Sequence, residues 1–456
     1  MIYFSIMKIN VPKWLYEIAE INSQPLYLVG GYVRNALCGL PPSDVDVAGV
    51  AMPEDLILPK GYYFATTYKR MGTALIKHRY LHGAEAEYTP FRTEEYAPGG
   101  AHTPTKVCFN ASVEEDARRR DFTVNSIYYD IKKDEIIDFF GGVEDAKNKI
   151  LRAYDPEKVF ASDGLRLLRL IRISAQTGFT IDPETERVAK ASAHLLADIT
   201  MARKSLELQK ILFADLAFDV IDAHYRGLTL LRDYGFLPYV CPELADLDGL
   251  AQPAKYHKYD ALEHTFRVVR SAPPSIRLAA LFHDIGKAPC MKHDGNMHEH
   301  DVVGAKMLEK ILSEEGLRLS TKEIDRTIRL VRNHMYDKER QTKSGKMLIF
   351  VAKNFDIIDD LSELMDADSL GKGTVLTAEP NRLKEFRDIL VQSGAPIRQC
   401  DLHISGVDLI SLGYEGEEIG KELNRLYETC VLNPSLNNHK KLLELSKRGK
   451  INRKTE

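Results

Sequence analysis

Short apolar runs, separated by turns rich in Gly and Pro, dominate the first third of the chain. Five of these runs show the apolar patterns of β-strands, at residues 26–29, 45–47, 73–76, 106–109 and 126–129. The turns between them carry the residues at which a chain commonly reverses. The pattern therefore predicts an α/β head built on a small mixed sheet.

Beyond about residue 143 the apolar residues recur every three to four positions, which is typical of amphipathic helices. The segments 163–172 and 201–212 carry this period clearly. Pro-bearing breaks near 237–242, 251–253 and 378–380 are the best candidate boundaries. We therefore predict four regions: a head (1–140), a helical neck and body (141–250), a His-rich module (251–375) and a helical tail (376–456).

The chain has 456 residues, with 62 Lys and Arg against 66 Asp and Glu. This balance excludes a protein that binds polyanions through bulk charge, so any nucleic-acid surface must be local. No apolar run approaches the roughly 20 residues that cross a bilayer, and the N-terminal stretch lacks signal-peptide features. Six cysteines without a Cys-x-x-Cys pair fit reduced thiols. We expect a cytoplasmic protein with no membrane contact and no obligate protein partner.

The stretch Leu-Val-Gly-Gly-Tyr-Val-Arg-Asn-Ala-Leu-Cys-Gly-Leu-Pro-Pro-Ser-Asp-Val-Asp-Val combines features of a nucleotide site. Gly30 and Gly31 lack side chains, so backbone N–H groups at the start of a helix carrying Arg34 can approach a phosphate. Asp44 and Asp46 are two residues apart, and on a strand both carboxylates would point from one face. Such a pair can hold Mg²⁺ bridged by a nucleoside triphosphate, which favours metal-dependent nucleotidyl transfer.

Together with Arg119-Arg120-Asp-Phe-Thr-Val-Asn-Ser, this stretch resembles the head of tRNA nucleotidyltransferases, the CCA-adding enzymes of the bacterial and eukaryotic class. Bacterial poly(A) polymerases share that head. The resemblance implies that Asp44 and Asp46 are catalytic metal ligands and that Arg119 and Arg120 contact the ribose and phosphates of the nucleotide. Asn35 stands where the family usually has Asp. Because Asn keeps the hydrogen-bonding shape and loses only the charge, we expect activity to persist.

Asp163, Arg166, Arg169 and Arg172 recur every third residue, so neighbours in the series lie side by side on a helix. In the resembling family the first two select the incoming base. A carboxylate accepts from the amino group of cytosine or adenine while Arg donates to the adjacent ring acceptor, so UTP and GTP should be rejected. Arg169 and Arg172 would reach phosphates or an adjacent element. Ser162 stands where the family usually has an acid. We expect the orientation of Arg166 to be less firmly fixed without that acid.

The His-rich module carries residues laid out as in HD-type metal phosphohydrolases: His264, His283, Asp284 and Asp368. Imidazoles and carboxylates of this kind hold a divalent transition metal that activates water. His300 and His334 fall where multi-His members have extra ligands, so the module could hold one or two metal ions; a surface histidine is the alternative for each. A similar module in some bacterial CCA-adding enzymes implies phosphatase or phosphodiesterase activity. A hydrogen-bonded His-Asp pair in an apolar core is the simpler alternative.

Residues 439–456 hold seven Lys or Arg against two Glu, a local charge of +5 in a chain of −4. Such a patch can neutralise RNA phosphates, and a solvated C-terminal end is the alternative. Residues 404–413 look like the tail element that contacts the elbow of tRNA in the resembling family. Residues 91–104 correspond to the family's mobile loop, which is connected with the switch from C to A addition.

These motifs predict a template-independent nucleotidyltransferase that uses CTP, ATP and Mg²⁺ to build or repair the CCA end of tRNA. A CC-adding or A-adding partial enzyme and a poly(A) polymerase stay open as alternatives, because they use the same chemistry. An HD phosphohydrolase with a non-catalytic RNA-binding head is the alternative from another reaction class. The joint presence of Asp44, Asp46, Asp163 and Arg166 disfavours it.

Overall fold

The structure is a computed structural model that describes residues 2–4, 9–97, 104–312, 319–375 and 380–453, without side chains for 2–4 and 450–453. The described residues divide into two compact units, one ending at Ala245 and the other beginning at Asp246. The predicted break near residues 237–242 lies just before this division.

The strands of the described residues all lie in the first unit. They are β1 (Ile2–Phe4), β2 (Leu26–Val29), β3 (Asp46–Gly49), β4 (Tyr62–Tyr68), β5 (Thr73–His78), β6 (Glu85–Pro90), β7 (Arg92–Glu95), β8 (Lys106–Phe109), β9 (Tyr128–Asp130), β10 (Glu135–Asp138), β11 (Ile150–Leu151) and β12 (Thr180–Ile181). Eight of them form one sheet in the order β1-β10-β9-β2-β3-β6-β5-β4. Every neighbouring pair in this sheet is antiparallel except β3 and β6, so the sheet is mixed.

The central strand β2 is apolar throughout because both faces of the sheet are covered there. All four of its residues are buried. Leu26 and Leu28 pack with residues of α1 (Lys13–Ile21) in one core, and Tyr27 and Val29 pack in a second core on the other side. A strand covered on both faces has no polar alternation, which explains the continuous apolar run in the sequence.

Helices form the rest of the first unit. After α1 they are α2 (Gly31–Cys38), α3 (Val113–Arg118), α4 (Gly142–Lys147), α5 (Pro156–Ser162), α6 (Leu165–Thr177), α7 (Pro183–Ala191), α8 (Met201–Leu212), α9 (Asp215–Phe218), α10 (Ala223–Asp233), α11 (Leu237–Val240) and α12 (Pro242–Ala245). The helix α6 packs against α8 and α10, and its residues Leu167, Leu168 and Ile171 are fully buried.

The described residues of the second unit are helical. The helices are α13 (Ala261–Ser271), α14 (Arg277–Phe282), α15 (Lys287–Asp294), α16 (His300–Ile311), α17 (Thr321–Asn333), α18 (Ser344–Lys353), α19 (Ile358–Gly371), α20 (Leu383–Ser393), α21 (Gly406–Ser411), α22 (Glu417–Leu432) and α23 (His439–Arg453). The helix α13 packs against α14 and α19, α16 packs against α17, and α18 packs against α20 and α22.

The fold class predicted from the sequence is confirmed, since a mixed-sheet α/β head precedes a mostly helical remainder. The predicted helical segments became α6 and α8. The run at 106–109 lies outside the main sheet, because β8 pairs only with β7 in a separate two-stranded ladder. The finer division into four regions stays a prediction. None of the helices that the structure describes is long and apolar enough to cross a membrane.

Candidate functional site

The turn between β2 and α2 brings the backbone directly against a carboxylate. Gly30 has a φ of 77°, a conformation that favours glycine. A Cβ atom at Gly30 would lie 2.8 Å from Asp46 Oδ2, and one at Gly31 would lie 2.9 Å from Ser43 Oγ. Larger residues would push these groups apart, so the two glycines allow the N-terminus of α2 to lie beside Asp46.

Asp46 begins β3, and Asp44 precedes the strand, which corrects the expectation that the two share a strand face. The ladder to β2 stops at Asp46 because its partner Val29 is the last residue before the turn. On its other side Asp46 pairs with Glu87 of β6. The parallel register places these two side chains on the same face of the sheet. Glu87 is thus a third carboxylate that the sequence did not place.

Burial raises the pKa of Asp46 to about 6, with Glu87 and Asp44 adding to the shift and Arg120 opposing it. Glu87 and Asp44 act on Asp46 as neighbouring like charges, and a bound cation would offset them. Carboxylate oxygens are the ligands that hard divalent cations prefer. The residues present therefore fit a divalent cation at this edge of the sheet.

Arg34 is buried on α2 and is held on both edges of its guanidinium group. Its Nε and Nη2 donate to Asn35 Oδ1 at 3.0 and 2.8 Å, and its Nη1 donates to Asn125 Oδ1 at 2.8 Å. The Asn35 Nδ2 donates to the carbonyl of Pro41 at 2.7 Å, which an aspartate could not do. Asn35 therefore supplies the acceptor that Arg34 needs. Burial lowers the pKa of Arg34 to about 10.

Asp121 links this network to the helix α6. Asn125 Nδ2 donates to Asp121 Oδ1 at 2.9 Å, and Arg169 donates to Asp121 Oδ2 through Nε at 2.8 Å and Nη2 at 2.5 Å. Burial alone would raise the pKa of this carboxyl group, but Arg169, Asn125 and Arg166 together more than offset burial, and the pKa lies well below its usual value. Arg169 thus fixes the segment that contains Arg119 and Arg120 relative to α6.

Arg119 and Arg120 are both anchored on the buried carboxylate of Asp116. Its Oδ1 accepts from Arg119 Nε at 2.8 Å and its Oδ2 accepts from Arg120 Nη2 at 3.2 Å. Arg120 Nε also donates to Tyr128 Oη at 2.8 Å. These contacts hold the two guanidinium groups in fixed orientations at the edge of a cavity.

The carboxylate of Asp163 has a partner that the sequence did not suggest. Its Oδ1 accepts from the backbone N–H of Leu165 at 2.9 Å, and its Oδ2 accepts from Arg203 Nη2 of α8 at 3.0 Å. Arg203 Nη1 also lies 3.5 Å from Oδ1, so Oδ1 has two donors and Oδ2 can accept one further hydrogen bond. Asp163 is therefore held in place and still able to accept from a ligand.

Arg166 is oriented by the residue that departs from the family pattern. Its Nη1 donates to Ser162 Oγ at 2.8 Å, and its Nη2 donates to the carbonyl of Arg119 at 2.5 Å. The replacement of an acid by Ser162 therefore does not leave Arg166 without an acceptor. Arg172 was expected to reach either phosphates or an adjacent element, and it contacts an adjacent element. Its Nε donates to Glu207 Oε2 of α8 at 2.6 Å.

A cavity of about 330 Å³ is lined by Asp163 and Arg166, whereas Asp44, Asp46 and Glu87 are not among its described lining residues. Its volume lies in the range of small-ligand sites. Its wall carries six arginines against three acids, so it suits an anionic ligand: Arg92, Arg119, Arg120, Arg166, Arg169 and Arg203 against Glu94, Asp121 and Asp163. Residues 98–103 of the predicted mobile loop lie outside the described residues, as do residues 454–456 of the basic tail.

In the second unit, four imidazole rings converge through their Nε2 atoms. His264 and His283 approach at 3.3 Å between Nε2 atoms, and so do His300 and His334. The Nδ1 atoms of His283, His300 and His334 lie 2.7 to 2.8 Å from backbone carbonyls. A ring that donates through Nδ1 leaves its Nε2 as a bare acceptor. Facing acceptors of this kind fit a divalent transition metal, because a cation removes their mutual repulsion.

Asp284 lies between the two pairs of rings. Its Oδ2 lies 3.3 and 3.2 Å from His264 and His283, and its Oδ1 lies 3.2 Å from His300. The described residues thus form two potential ligand groups that share this carboxylate. Asp368 Oδ1 lies 3.1 Å from His264. The structure therefore brings together all six residues that the sequence proposed for this module.

Two lysines complete the cluster, and the sequence proposed neither as a ligand contact. Lys287 Nζ lies 2.5 Å from Asp284 Oδ2, and Lys338 Nζ pairs with Asp368 Oδ2. Lys287 follows His283-Asp284 within the same motif. Its contact with Asp284 could therefore have been expected from the sequence. Lys338 and Asp368 are 30 positions apart, so only the packing of α19 brings them together.

Three family models match separate parts of the chain. The Poly A polymerase head domain matches residues 26–152, the "Probable RNA and SrmB- binding site of polymerase A" matches 178–247, and the HD domain matches 261–364. The chain therefore carries a segment similar to the Poly A polymerase head domain and a segment similar to the HD domain.

Among curated proteins, the chain is similar to CCA-adding enzymes. It is 36% identical over 267 residues to that of Geobacillus stearothermophilus and 40% identical over 223 residues to that of Ligilactobacillus salivarius. It is 34% identical over 283 residues to the Multifunctional CCA protein of Pasteurella multocida. These alignments cover 57%, 48% and 58% of this chain and 59%, 51% and 63% of the respective relatives, so the chain spans between half and two thirds of their lengths.

Solved structures extend the likeness of fold over nearly the whole chain. The CCA-adding enzyme of Bacillus stearothermophilus in complex with CTP matches with a TM-score of 0.65 at 23% identity, covering 96% of each chain. The Thermotoga maritima CCA-adding enzyme complexed with tRNA matches with a TM-score of 0.54 at 18% identity, covering 98% of each chain. The fold is that of CCA-adding enzymes.

Proposed function

We propose that this protein is a tRNA nucleotidyltransferase that adds or repairs the 3′-terminal CCA of tRNA. The substrates are CTP, ATP and tRNA, and the reaction needs no nucleic-acid template. The observation that carries this proposal is the arginine-lined cavity in which Asp163 and Arg166 lie side by side. The CTP and tRNA complexes of proteins with the same fold support these substrates. The proposal also places the protein in the cytoplasm, without an obligate protein partner.

The chain's own residues perform two tasks in this reaction. The arginines of the cavity wall bind the triphosphate, because charge-assisted hydrogen bonds to phosphate oxygens are strong and directional. Asp163 accepts from the exocyclic amino group of cytosine or adenine, and Arg166 donates to the adjacent ring nitrogen. Uracil and guanine present a carbonyl oxygen to Asp163, which leaves the carboxylate without a donor and excludes these bases.

We propose Asp44, Asp46 and Glu87 as the residues that hold Mg²⁺. A bound divalent ion supplies positive charge that stabilises the leaving pyrophosphate and lowers the pKa of the attacking hydroxyl. Gly30 and Gly31 keep the N-terminus of α2 close to this position, where its backbone N–H groups favour a phosphate. The partial enzymes and the poly(A) polymerase remain alternatives, because they use the same groups.

The test uses a tRNA transcript that ends at the discriminator base, incubated with Mg²⁺ and with CTP, ATP, both, UTP or GTP. We expect two additions with CTP, three with both and none with UTP or GTP, resolved at single-nucleotide length. A long ladder of A would identify a poly(A) polymerase. Addition of A only to a transcript that already ends in CC would identify an A-adding enzyme.

Asp44→Ala should abolish addition while tRNA binding persists, because the variant loses a metal ligand and no proposed RNA contact. Removal of a metal-bound carboxylate should lower the rate at least about a hundredfold. Asp55→Ala, which removes an exposed acid of the head, is the matched control and should retain full activity. Undiminished addition by Asp44→Ala would refute the metal assignment.

The imidazole cluster supports a second candidate function, metal-dependent phosphohydrolysis. Its four Nε2 atoms, with a carboxylate shared between two ligand groups, fit one or two divalent transition metals. A bound metal supplies an activated water at neutral pH. Lys287 and Lys338 pair with Asp284 and Asp368 and offset the charge of these two carboxylates.

A further inference from the structure

The hairpin formed by β4 and β5 carries positive charge in a chain that is negative overall. Residues 60–84, which contain this hairpin, hold five Lys or Arg and no Asp or Glu, whereas the whole chain has a net charge of −4. The five basic residues are Lys60, Lys69, Arg70, Lys77 and Arg79. Tyr63 and Tyr68 of the same hairpin are 39% and 62% exposed. Basic groups beside exposed aromatic rings are the combination that binds single-stranded nucleic acid.

The register of the main sheet places Tyr68 on the face that carries the proposed magnesium ligands. Asp46 of β3 pairs with Glu87 of β6, and Glu87 pairs with Leu75 of β5. Leu75 in turn pairs with Thr66 of β4. Because paired residues point to the same face and side chains alternate along a strand, Tyr68 lies on this face together with Thr66.

A β-bulge brings Tyr63 to the same face, although Tyr63 lies three positions before Thr66. The register between β4 and β5 shifts between Phe64 and Thr66, and Tyr63 pairs with Lys77. Lys77 lies two positions after Leu75 and therefore points to the same side of the sheet. At about 3.3 Å per residue, the two tyrosines lie roughly 15 Å apart along β4. They can therefore serve separate bases of one strand.

The two faces of these strands differ in what covers them. Tyr62 and Ile76 point to the opposite face and belong to a hydrophobic core of the head. The face with Tyr63 and Tyr68 is open, since Thr66 between them is exposed as well. A sheet face that presents aromatic rings to solvent beside hydroxyl and ammonium groups is a suitable platform for stacked bases.

The open face begins at the arginine-lined cavity. Met71, in the turn between β4 and β5, lines that cavity. Arg92 of the cavity wall donates from Nη1 to the carbonyl of Met71 at 2.6 Å, and Arg70 donates from Nη2 to the carbonyl of Pro104 at 3.0 Å. These contacts hold the turn against the cavity wall. An RNA strand that crosses the open face therefore arrives at the proposed nucleotide site.

We propose that the open face of β4 and β5 binds the unpaired RNA strand that leads to the reacting 3′ end. This proposal rests on the nucleotidyltransferase function proposed above. Tyr63 and Tyr68 stack on bases, and Lys69 pairs with a phosphate of the same strand. Stacking tolerates any sequence because every base has a flat face. This tolerance suits a strand whose last residues change with each nucleotide that is added.

The charges of the face favour RNA over a protein partner. Glu85 is an acid of this face, and its Oε2 lies 2.9 Å from Lys77 Nζ, so the two charges offset each other. Glu87 is one of the proposed metal ligands. Lys69 is exposed in the turn after β4, where its ammonium group is accessible to a phosphate. Protein interfaces are depleted in lysine at their centres, whereas the binding of a polyanion is strengthened by each such group.

The experiment measures the binding of a fluorescently labelled RNA octanucleotide ending in CC to the full chain, by fluorescence anisotropy. Tyr68→Ala should weaken binding about tenfold, because one base loses its stacking partner. Tyr68→Phe keeps the ring and should restore the affinity. Tyr256→Ala, which removes an exposed tyrosine of the second unit, is the matched control and should bind as the unaltered protein does. Equal affinity of Tyr68→Ala and the unaltered protein would overturn the proposal, as would the absence of binding by the unaltered protein.

Salt dependence tests the phosphate contact separately. Each phosphate paired with a cationic side chain adds about 0.7 to the slope of log affinity against log salt for a single strand. Lys69→Gln should therefore lower the magnitude of this slope by about 0.7. Lys133→Gln, which removes an exposed lysine of the turn between β9 and β10, should leave the slope unchanged. A slope that Lys69→Gln does not alter would overturn the phosphate contact.

Nucleotide addition by the same preparations separates this proposal from the function on which it rests. A raised KM for the tRNA transcript in Tyr68→Ala, with the KM for CTP changed less, supports the surface. Weakened octanucleotide binding without addition by any preparation would support the surface and refute the nucleotidyltransferase function. Self-association that is lost in Tyr63→Ala combined with Tyr68→Ala, with RNA affinity unchanged, would overturn the proposal and identify an interface between two copies of the chain.

Discussion

At the residue scale, two departures from the family pattern keep the contacts that the usual residues would make. Asn35 supplies an acceptor for Arg34 and uses its amide on the carbonyl of Pro41. Ser162 supplies an acceptor for Arg166. In both cases a neutral group replaces a charge without losing the hydrogen bond, because the acceptor oxygen occupies the required position. Arg34 and Arg166, which we propose to act on the nucleotide, therefore stay oriented.

The contact between Arg203 and Asp163 leads to a prediction about base discrimination. Arg203 fixes Asp163 from a different helix, so Arg203→Gln should let the carboxylate rotate and should weaken base discrimination. We expect the preference for CTP over UTP, measured as the ratio of kcat/KM values, to fall about tenfold, because a hydrogen bond to a charged group is lost.

The control for Arg203 is Arg187→Gln, which removes an exposed arginine that pairs only with Glu184 on its own helix. This variant should discriminate as well as the unaltered protein. Full discrimination by Arg203→Gln would mean that Asp163 holds its orientation through the Leu165 N–H alone.

At the element scale, close contacts between backbones decide where the ligand-bearing elements lie. Gly286 lies two residues after Asp284, and a Cβ atom there would lie 2.1 Å from the carbonyl of His300 and 2.7 Å from the nitrogen of Gly304. The absence of a side chain thus lets α16 approach the turn after Asp284. This approach brings His300 to the cluster.

Gly286→Ala should therefore destabilise the second unit by about 1 to 3 kcal/mol, because a backbone contact cannot yield as a flexible side chain can. It should also lower metal occupancy, since α16 moves away with His300. Thermal unfolding and metal content measured on the purified variant check both effects.

The matched control for this substitution is Gly420→Ala on α22, where a Cβ atom meets nothing within 4 Å. This change should stabilise the helix by up to about 1 kcal/mol, because alanine is the better helix former. Equal stability of the two variants would show that α16 can shift without cost.

At the scale of the whole molecule, each unit carries its own candidate site. The arginine-lined cavity is formed by residues of the first unit, and the imidazole cluster by residues of the second. A substitution in the imidazole cluster should therefore change the proposed phosphatase activity and leave nucleotide addition unchanged.

His283→Ala combined with Asp284→Ala should spare nucleotide addition and abolish metal-dependent phosphatase activity. The same variant should lose the rise in Tm that added divalent transition metal gives the unaltered protein. Ligand binding stabilises by about 2.7 kcal/mol at a hundredfold excess over Kd. His403→Ala, which removes an exposed histidine of the second unit, should keep that rise. Loss of both activities together would show that the cluster is structural.

The sequence by itself determined the features that depend on neighbouring residues. The period of apolar positions predicted α6 and α8, because a helix repeats every 3.6 residues whatever it packs against. The Gly-Gly turn and the His-Asp pair could be recognised for the same reason, since each acts within a few positions of the chain. The alternation in residues 85–90 offered a weaker signal for β6.

Only the tertiary structure decided which distant groups meet. Glu87 reaches Asp46 through the parallel pairing of β3 with β6, and Arg203 reaches Asp163 across 40 positions of sequence. The pairing of Lys338 with Asp368 likewise follows from the packing of α19. Such contacts depend on which apolar faces pack together over the whole chain, and local backbone preferences carry no information about that choice.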